Sequence, residues 1–198
     1  MREDKQQALL RGALRVFARD GYTRASIQTL AAEAGVSTRT IYNQYGNKEA
    51  LFRAVILDSA RQVAERESAL ADRLLGRITD LRADLIEFGI AWATPDPASA
   101  DHFAMVRQVR AEQDHIDPEV LAAWQQAGPE RVTGVVAGHL AAMAERGLLR
   151  IDDPDLAAVH LIQLTANTVQ SMPAAADPER IVTAGVDAFL HGYGRSAD

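Results

Sequence analysis

Apolar residues recur at helical spacing in one segment after another, separated by glycine, proline and capping residues. Leu10, Ala13, Leu14 and Phe17 form a stripe that predicts a first helix over residues 3–19, with Gly21 past its end. Ser26 is a candidate cap for a short helix bearing Ile27, Leu30, Ala31 and Ala34, and Gly35 stops it with a sharp turn. Ser37 caps the next helix, 37–45, with Val36 placed to staple onto Ile41 and with Ile41 and Tyr45 facing inward. Asn47 caps a longer helix to about residue 70, carrying Leu51, Phe52, Val55, Ile56 and Val63 on its inner side.

The rest of the chain continues in the same style. A helix over 77–93 (Ile78, Leu81, Leu85, Phe88, Trp92) ends at Thr94-Pro95-Asp96-Pro97, and another over 98–112 carries Phe103, Met105, Val106 and Val109. Asp-Pro-acid recurs at Asp117-Pro118-Glu119, Asp153-Pro154-Asp155 and Asp177-Pro178-Glu179. Each reads as a helix start, with Asp as cap, Pro in the first turn and an acid at the positive dipole end. Gly128-Pro129-Glu130 makes a fourth break, before a helix over 129–146 that closes at Gly147. The last two helices, 154–170 and 178–193, are apolar around most of their girth and need burial to match. The expected fold is all-α, without a repeat architecture.

Residues 26–48 have the layout of a helix-turn-helix. With Ile41 and Tyr45 inward, Thr38, Arg39, Thr40, Tyr42, Asn43 and Gln44 form a donor-rich outward face on a rod roughly 13 Å long, which fits a major groove about 12 Å wide. The alternative, a solvated face, would normally be rich in Glu and Lys, and this face has no acid. Lys48 follows the Asn47 cap and sets a cation at a helix N-terminus, against the macrodipole, where a docked phosphate would make the placement favourable.

Charge sharpens this picture. The net charge of -6 divides unevenly: residues 1–48 hold eight Lys or Arg against four Asp or Glu, so the head is basic and the remainder strongly acidic. Only the head should approach a polyanion. Cysteine is absent, which removes disulfides and thiolate chemistry and fits a reducing cytoplasm. No apolar run reaches the ~20 residues of a membrane span, and Met1-Arg2-Glu3-Asp4 does not open a signal peptide, so no membrane association is expected.

Enzymatic classes find little support. His102, His115, His139, His160 and His191 lie far apart without metal-site spacing, and neither a phosphate loop nor a GxSxG elbow is present. The expectation is no enzyme, no cofactor and no metal. An architectural DNA-binding protein without effector is the competing class. Against it stand an acidic body of roughly 130 residues and a head too weakly charged for tight non-specific binding.

Gly21-Tyr22, Ser26, Leu30-Ala31, Ala34-Gly35-Val36-Ser37, Thr40-Ile41-Tyr42, Tyr45 and Asn47-Lys48-Glu49 together resemble the TetR family of bacterial transcriptional regulators. More loosely, residues 127–131 and 147–158 are similar to the regulatory domain of AefR-like members. The resemblance implies a helix-turn-helix DNA-binding domain over 1–48 and a helical effector-binding and dimerisation domain over 49–198. It implies that Tyr42 and Lys48 hold phosphates, while Thr38, Arg39, Thr40, Asn43 and Gln44, beside the Ser37 cap, face bases or the adjacent backbone. Gln28 adds a contact from the preceding helix, and Arg11 and Arg24 are further phosphate candidates. Many members carry His at the position of Gln44 and a small residue or Pro at that of Arg39, so operator preference does not transfer.

The resemblance further implies a repressor released from a palindromic operator by a small, largely apolar molecule. Candidate pocket walls are Phe88, Trp92, Phe103, Met105, Trp124 and Met143, with His102, Arg107, His139, Gln163 and Asn167 as polar anchors. Plain core packing is the alternative for each, and Gln163 and Asn167, four apart, are alternatively a pair across a dimer. Homodimerisation through the last two helices is expected, with Ala157, Ala158, Thr165 and Gly185 allowing close approach; a single intramolecular core is the alternative.

Overall fold

The computed structural model describes residues 2–94, 96–173 and 176–194, with side chains from Lys5 onward; Pro95, read above as a helix stop, lies outside the described residues. The chain is helical throughout: α1 (Arg2–Arg24), α2 (Ile27–Glu33), α3 (Thr38–Tyr45), α4 (Lys48–Leu75), α5 (Leu81–Ala93), α6 (Ala100–Ala111), α7 (Pro118–Ala127), α8 (Pro129–Glu145), α9 (Pro154–Ile162), α10 (Thr168–Ser171) and α11 (Pro178–Tyr193). Packing groups them into two compact units, one of residues 1–64 with 96–129, the other of residues 65–95 with 130–198.

The first unit is built on a core of Leu9, Phe17, Leu30, Ile41, Leu51, Phe52, Val55, Met105 and Val109. The Phe17 and Phe52 rings meet edge to face at 5.0 Å, and Tyr22 leans on Phe52 at 4.8 Å. Local chemistry sets the helix ends. Ser26 Oγ accepts the Thr29 N–H at the start of α2, and Gly35, at φ 66°, closes that helix while Val36 N–H reaches back to the Ala31 carbonyl. Ser37 Oγ accepts the Thr40 N–H and starts α3, and Asn47 Oδ1 accepts the Ala50 N–H and starts α4. α4 runs five residues beyond the expected end near Leu70.

In the second unit Phe88, Leu85, Val136, Leu140, Met143, Leu161, Val186 and Phe189 form the core. α5 starts at Leu81, later than the expected residue 77. Asp80 caps the Ala83 N–H, while Asp84 draws in the Thr79 and Asp80 N–H groups, so the residues just before the helix are held in a turn. The Asp153 and Asp177 caps stand as expected, as does Asp117 in the first unit.

The expected helix over 154–170 departs from regularity. Between α9 and α10, residues Gln163–Asn167 form a wide π turn. Thr165 Oγ1 donates to the Leu161 carbonyl at 2.6 Å and Thr168 Oγ1 to the Gln163 carbonyl at 2.7 Å, satisfying acceptors in and beside the widened turn. The Leu164 carbonyl projects onto α11 where Gly185 stands, and a Cβ at 185 would collide with it. Ala157, Ala158 and Thr165, expected to ease approach of a second copy, are instead buried within the subunit, and Gly185 serves the same internal packing.

Candidate nucleic-acid interface

α3 presents the face that its sequence promised. Ile41 is fully buried and Tyr45 half-buried, while Arg39, Tyr42, Asn43 and Gln44 are exposed. Tyr42 is 52% exposed, a large aromatic side chain left in water beside three polar ones. Thr38 and Thr40 are half-buried, and Thr40 Oγ1 shares a 2.9 Å hydrogen bond with Ser37 Oγ, so this pair is partly committed to the helix start. Gln28, one residue into α2, is exposed. Arg39 makes no hydrogen bond or ion pair within the described residues, leaving its planar set of donors available.

Lys48 has an arrangement that its sequence position did not announce. Its ammonium donates to the carbonyls of Tyr22 at 2.9 Å, Ala25 at 3.1 Å and Thr23 at 3.3 Å, and lies 4.6 Å from the centre of the Tyr22 ring. A cation set against the macrodipole of α4 is thus stabilised by carbonyls that the end of α1 leaves free. Burial and the nearby Glu49 raise the Tyr22 phenol above its ordinary range, so the ring stays neutral.

Elsewhere on the head, Arg15 pairs with Glu33 and Arg19 with Asp20, both at 2.8 Å and both solvent-exposed. Such pairs add little stability but remove two cations from the set available to phosphates. Arg11 and Arg24 remain exposed.

Comparison with known proteins decides what this head belongs to. Residues 9–55 match the bacterial regulatory proteins of the tetR family, and residues 97–195 match the AefR-like transcriptional repressor C-terminal domain. The chain belongs to the TetR family. It is a DNA-binding transcriptional repressor of that family and not an enzyme. The transcriptional repressor AcnR of Corynebacterium efficiens is 28% identical over 168 residues, covering 84% of this chain and 78% of its own. A transcriptional repressor of Mycobacterium tuberculosis is 26% identical over 180 residues, covering 89% and 87%. A TetR-family regulator from Mesorhizobium loti superposes with a TM-score of 0.82 at 27% identity, covering 98% of each chain.

TetR regulators also bind small-molecule effectors, and the residues read above as pocket candidates fall into both compact units. In the first, His102 is buried with Nδ1 2.8 Å from Ser59 Oγ, Met105 is buried in the core, Phe103 is half-buried, and Arg107 is exposed on α6. Trp124 is buried, with no acceptor for its Nε1–H among the described residues. In the second, Phe88 and Met143 are core, Trp92 stacks obliquely on Phe88 at 4.9 Å, and His139 Nε2 meets Asp72 at 2.8 Å. Gln163 is exposed and Asn167 half-buried, both on the π turn.

Two further polar groups of this TetR chain could not be picked out from its sequence, because neither stands out by type or spacing. Burial raises the Glu67 carboxyl to about 7, against a smaller opposing pull from Arg66, and Ser68 Oγ is shielded without a partner among the described residues. An open groove of about 440 Å³ runs along α5 past Arg82, Ile86 and Ile90. None of the sequence-predicted pocket residues lines it. Among the described residues no helix is long and apolar enough to cross a membrane.

Proposed function

We propose that this TetR-family repressor acts as a homodimer that reads a two-fold symmetric operator through α3 and releases it when a small molecule binds the body. The observation that carries this reading is the outward face of α3, uncovered, rich in donors and free of acids. Arg39, Asn43 and Gln44 are the base readers, with Thr38 and Thr40 beside the Ser37 cap at the groove edge and Gln28 reaching in from α2. Tyr42 and Lys48 hold phosphates, Lys48 by exchanging one of its three carbonyl partners for a phosphate oxygen. Residues 1–48 do the reading, and residues 49–198 sense and dimerise, in the cytoplasm where operator DNA is found.

Leu156, Val159 and Leu164, all more than a third exposed, support dimerisation along the outward side of α9 and the π turn, where Gln163 is exposed with them. The effector has an apolar body and few polar groups. In the second unit Ser68 Oγ, shielded and without a partner among the described residues, supports that class, because it gains most from a ligand that completes its hydrogen bond. Release is limited by the ligand's preference for the non-binding conformation and can be no larger than that difference.

Selection of bound sequences from a random duplex pool at near-physiological salt tests the reading. Recovery of a two-fold symmetric site is the expected result. Salt-labile binding to every duplex without enrichment would overturn it and favour an architectural protein.

A further inference from the structure

The turn that ends α1 is gripped from two sides by opposite charges. On one side Glu112, the residue that closes α6, accepts the Thr23 N–H at 2.8 Å and the Thr23 hydroxyl at 3.1 Å, both on Oε2. The backbone N–H of Glu112 returns to the Gln108 and Val109 carbonyls, so the carboxylate is anchored to the end of α6. The approach is close. Gly21 sits at φ 76°, and a Cβ there would run into the Glu112 carboxylate and crowd the Gln108 amide. On the other side the carbonyls of Tyr22, Thr23 and Ala25 hold the Lys48 ammonium.

Thr23 belongs to both grips, giving its N–H to the anion on α6 and its carbonyl to the cation that opens α4. Hydrogen bonds in series of this kind polarise one another, and both ends are charged. Lys48 lies two residues after Gly46, the residue that closes the reading helix α3.

We propose that Glu112 is a positioning residue for DNA reading: it fixes the Gly21–Ala25 turn, and the turn fixes Lys48 and the start of α4 directly behind α3. The proposal rests on the DNA-reading surface described above and adds to it a connection from α6. A displacement of the end of α6 reaches the Lys48 ammonium through one threonine.

Lys5 and Lys48 are the chain's two lysines, so amine acylation read by mass spectrometry reports Lys48 directly, with the exposed Lys5 as internal reference. In the full chain without DNA, Glu112→Ala should raise Lys48 labelling relative to Lys5 by about tenfold, the scale of one lost charge-assisted hydrogen bond. Glu112→Gln should restore protection, because its amide oxygen still accepts from Thr23. Val109→Ala, which trims the α6 core without touching the turn, controls for simple loss of stability.

On the duplex recovered by selection, Glu112→Ala should lose affinity several-fold, binding to random duplex should weaken with it because Lys48 holds a phosphate, and Glu112→Gln should again be rescued. Unchanged Lys48 labelling in Glu112→Ala, equal labelling in Val109→Ala at matched melting temperature, or intact operator affinity would each overturn the proposal. If no operator is recovered, the DNA-reading assignment fails, and Lys48 labelling alone still shows whether Glu112 grips the turn.

Discussion

Two short helices in this protein leave one face uncovered, and the two faces differ in kind. α3, eight residues starting from the Ser37 cap, exposes Arg39, Tyr42, Asn43 and Gln44. α9, nine residues starting from the Asp153 cap, exposes Leu156 and Val159, and the π turn after it adds Leu164. The polar face is stable in water, and its donors become decisive only against a surface that supplies acceptors. The apolar face is unfavourable in water, at about 25 cal/mol for each Å² of apolar area left uncovered, and any complementary apolar surface relieves it. On the proposed reading the first serves specificity and the second assembly. A symmetric operator needs both, because two heads must be held at one spacing.

The comparison is most sharply broken by converting the apolar face to a charged one. Leu156→Glu together with Leu164→Glu places four like charges across a two-fold interface and should give a monomer by sedimentation velocity. Operator affinity should fall by more than about 100-fold as the link between half-sites is lost. The fold should survive, since both side chains are more than a third exposed. A dimer that persists would mean that this face is not the one that joins the subunits.

Next in size is the internal support of the same face. Gly185→Ala drives a Cβ into the Leu164 carbonyl, and it should cost about 2–3 kcal/mol of stability, read from the denaturant midpoint, as overpacking. It should also weaken dimerisation, because Leu164 rides on the displaced turn. An unchanged midpoint would show that the π turn relaxes freely.

On the reading side the effects divide by type. Arg39→Ala should cost about 1–3 kcal/mol on the selected operator and relax the base preference at one position, whereas Tyr42→Ala should weaken all duplexes alike. Selection repeated with each variant checks this, and an unchanged preferred sequence for Arg39→Ala would remove Arg39 from the base readers.

The head was legible in the sequence because its structure is set by local chemistry. Ser26, Gly35, Ser37 and Asn47 each do what a cap or turn residue of that type does, within three residues of their own position. The Asp-Pro starts of the body were legible for the same reason. What stayed hidden depends on contacts distant in sequence. The grip of Glu112 on Thr23 joins residues 89 apart, and the π turn answers a glycine on the next long helix. Aromatic and histidine positions showed that a body core exists but not how it divides: His102 and Trp124 went to one unit, Phe88 and His139 to the other. Arg107, a candidate polar anchor in the sequence, stands exposed on α6.

The smallest effect concerns α4, which contributes Phe52 and Val55 to one core and Ala71 and Leu75 to the other. Its Glu67 holds a proton up to about pH 7 in the folded chain, against an ordinary value of 4.5. Between those values the folded state binds a proton that the unfolded state has released, so stability falls as pH rises through the window and is level on either side of it. Glu67→Gln removes the titration. It should flatten the urea midpoint between pH 5 and pH 8 and make the variant more stable than the parent at pH 8, by about 1–3 kcal/mol. Operator affinity at pH 8 should stay within about twofold, since a shift of a few tenths of a kcal/mol is all that a change remote from the reading residues is expected to transmit. A variant that keeps the parent's slope would place the proton elsewhere. One that loses operator affinity along with the slope would mean that the protonation state of α4 reaches the heads, making the division between a reading face and an assembling face less complete than the two helices suggest.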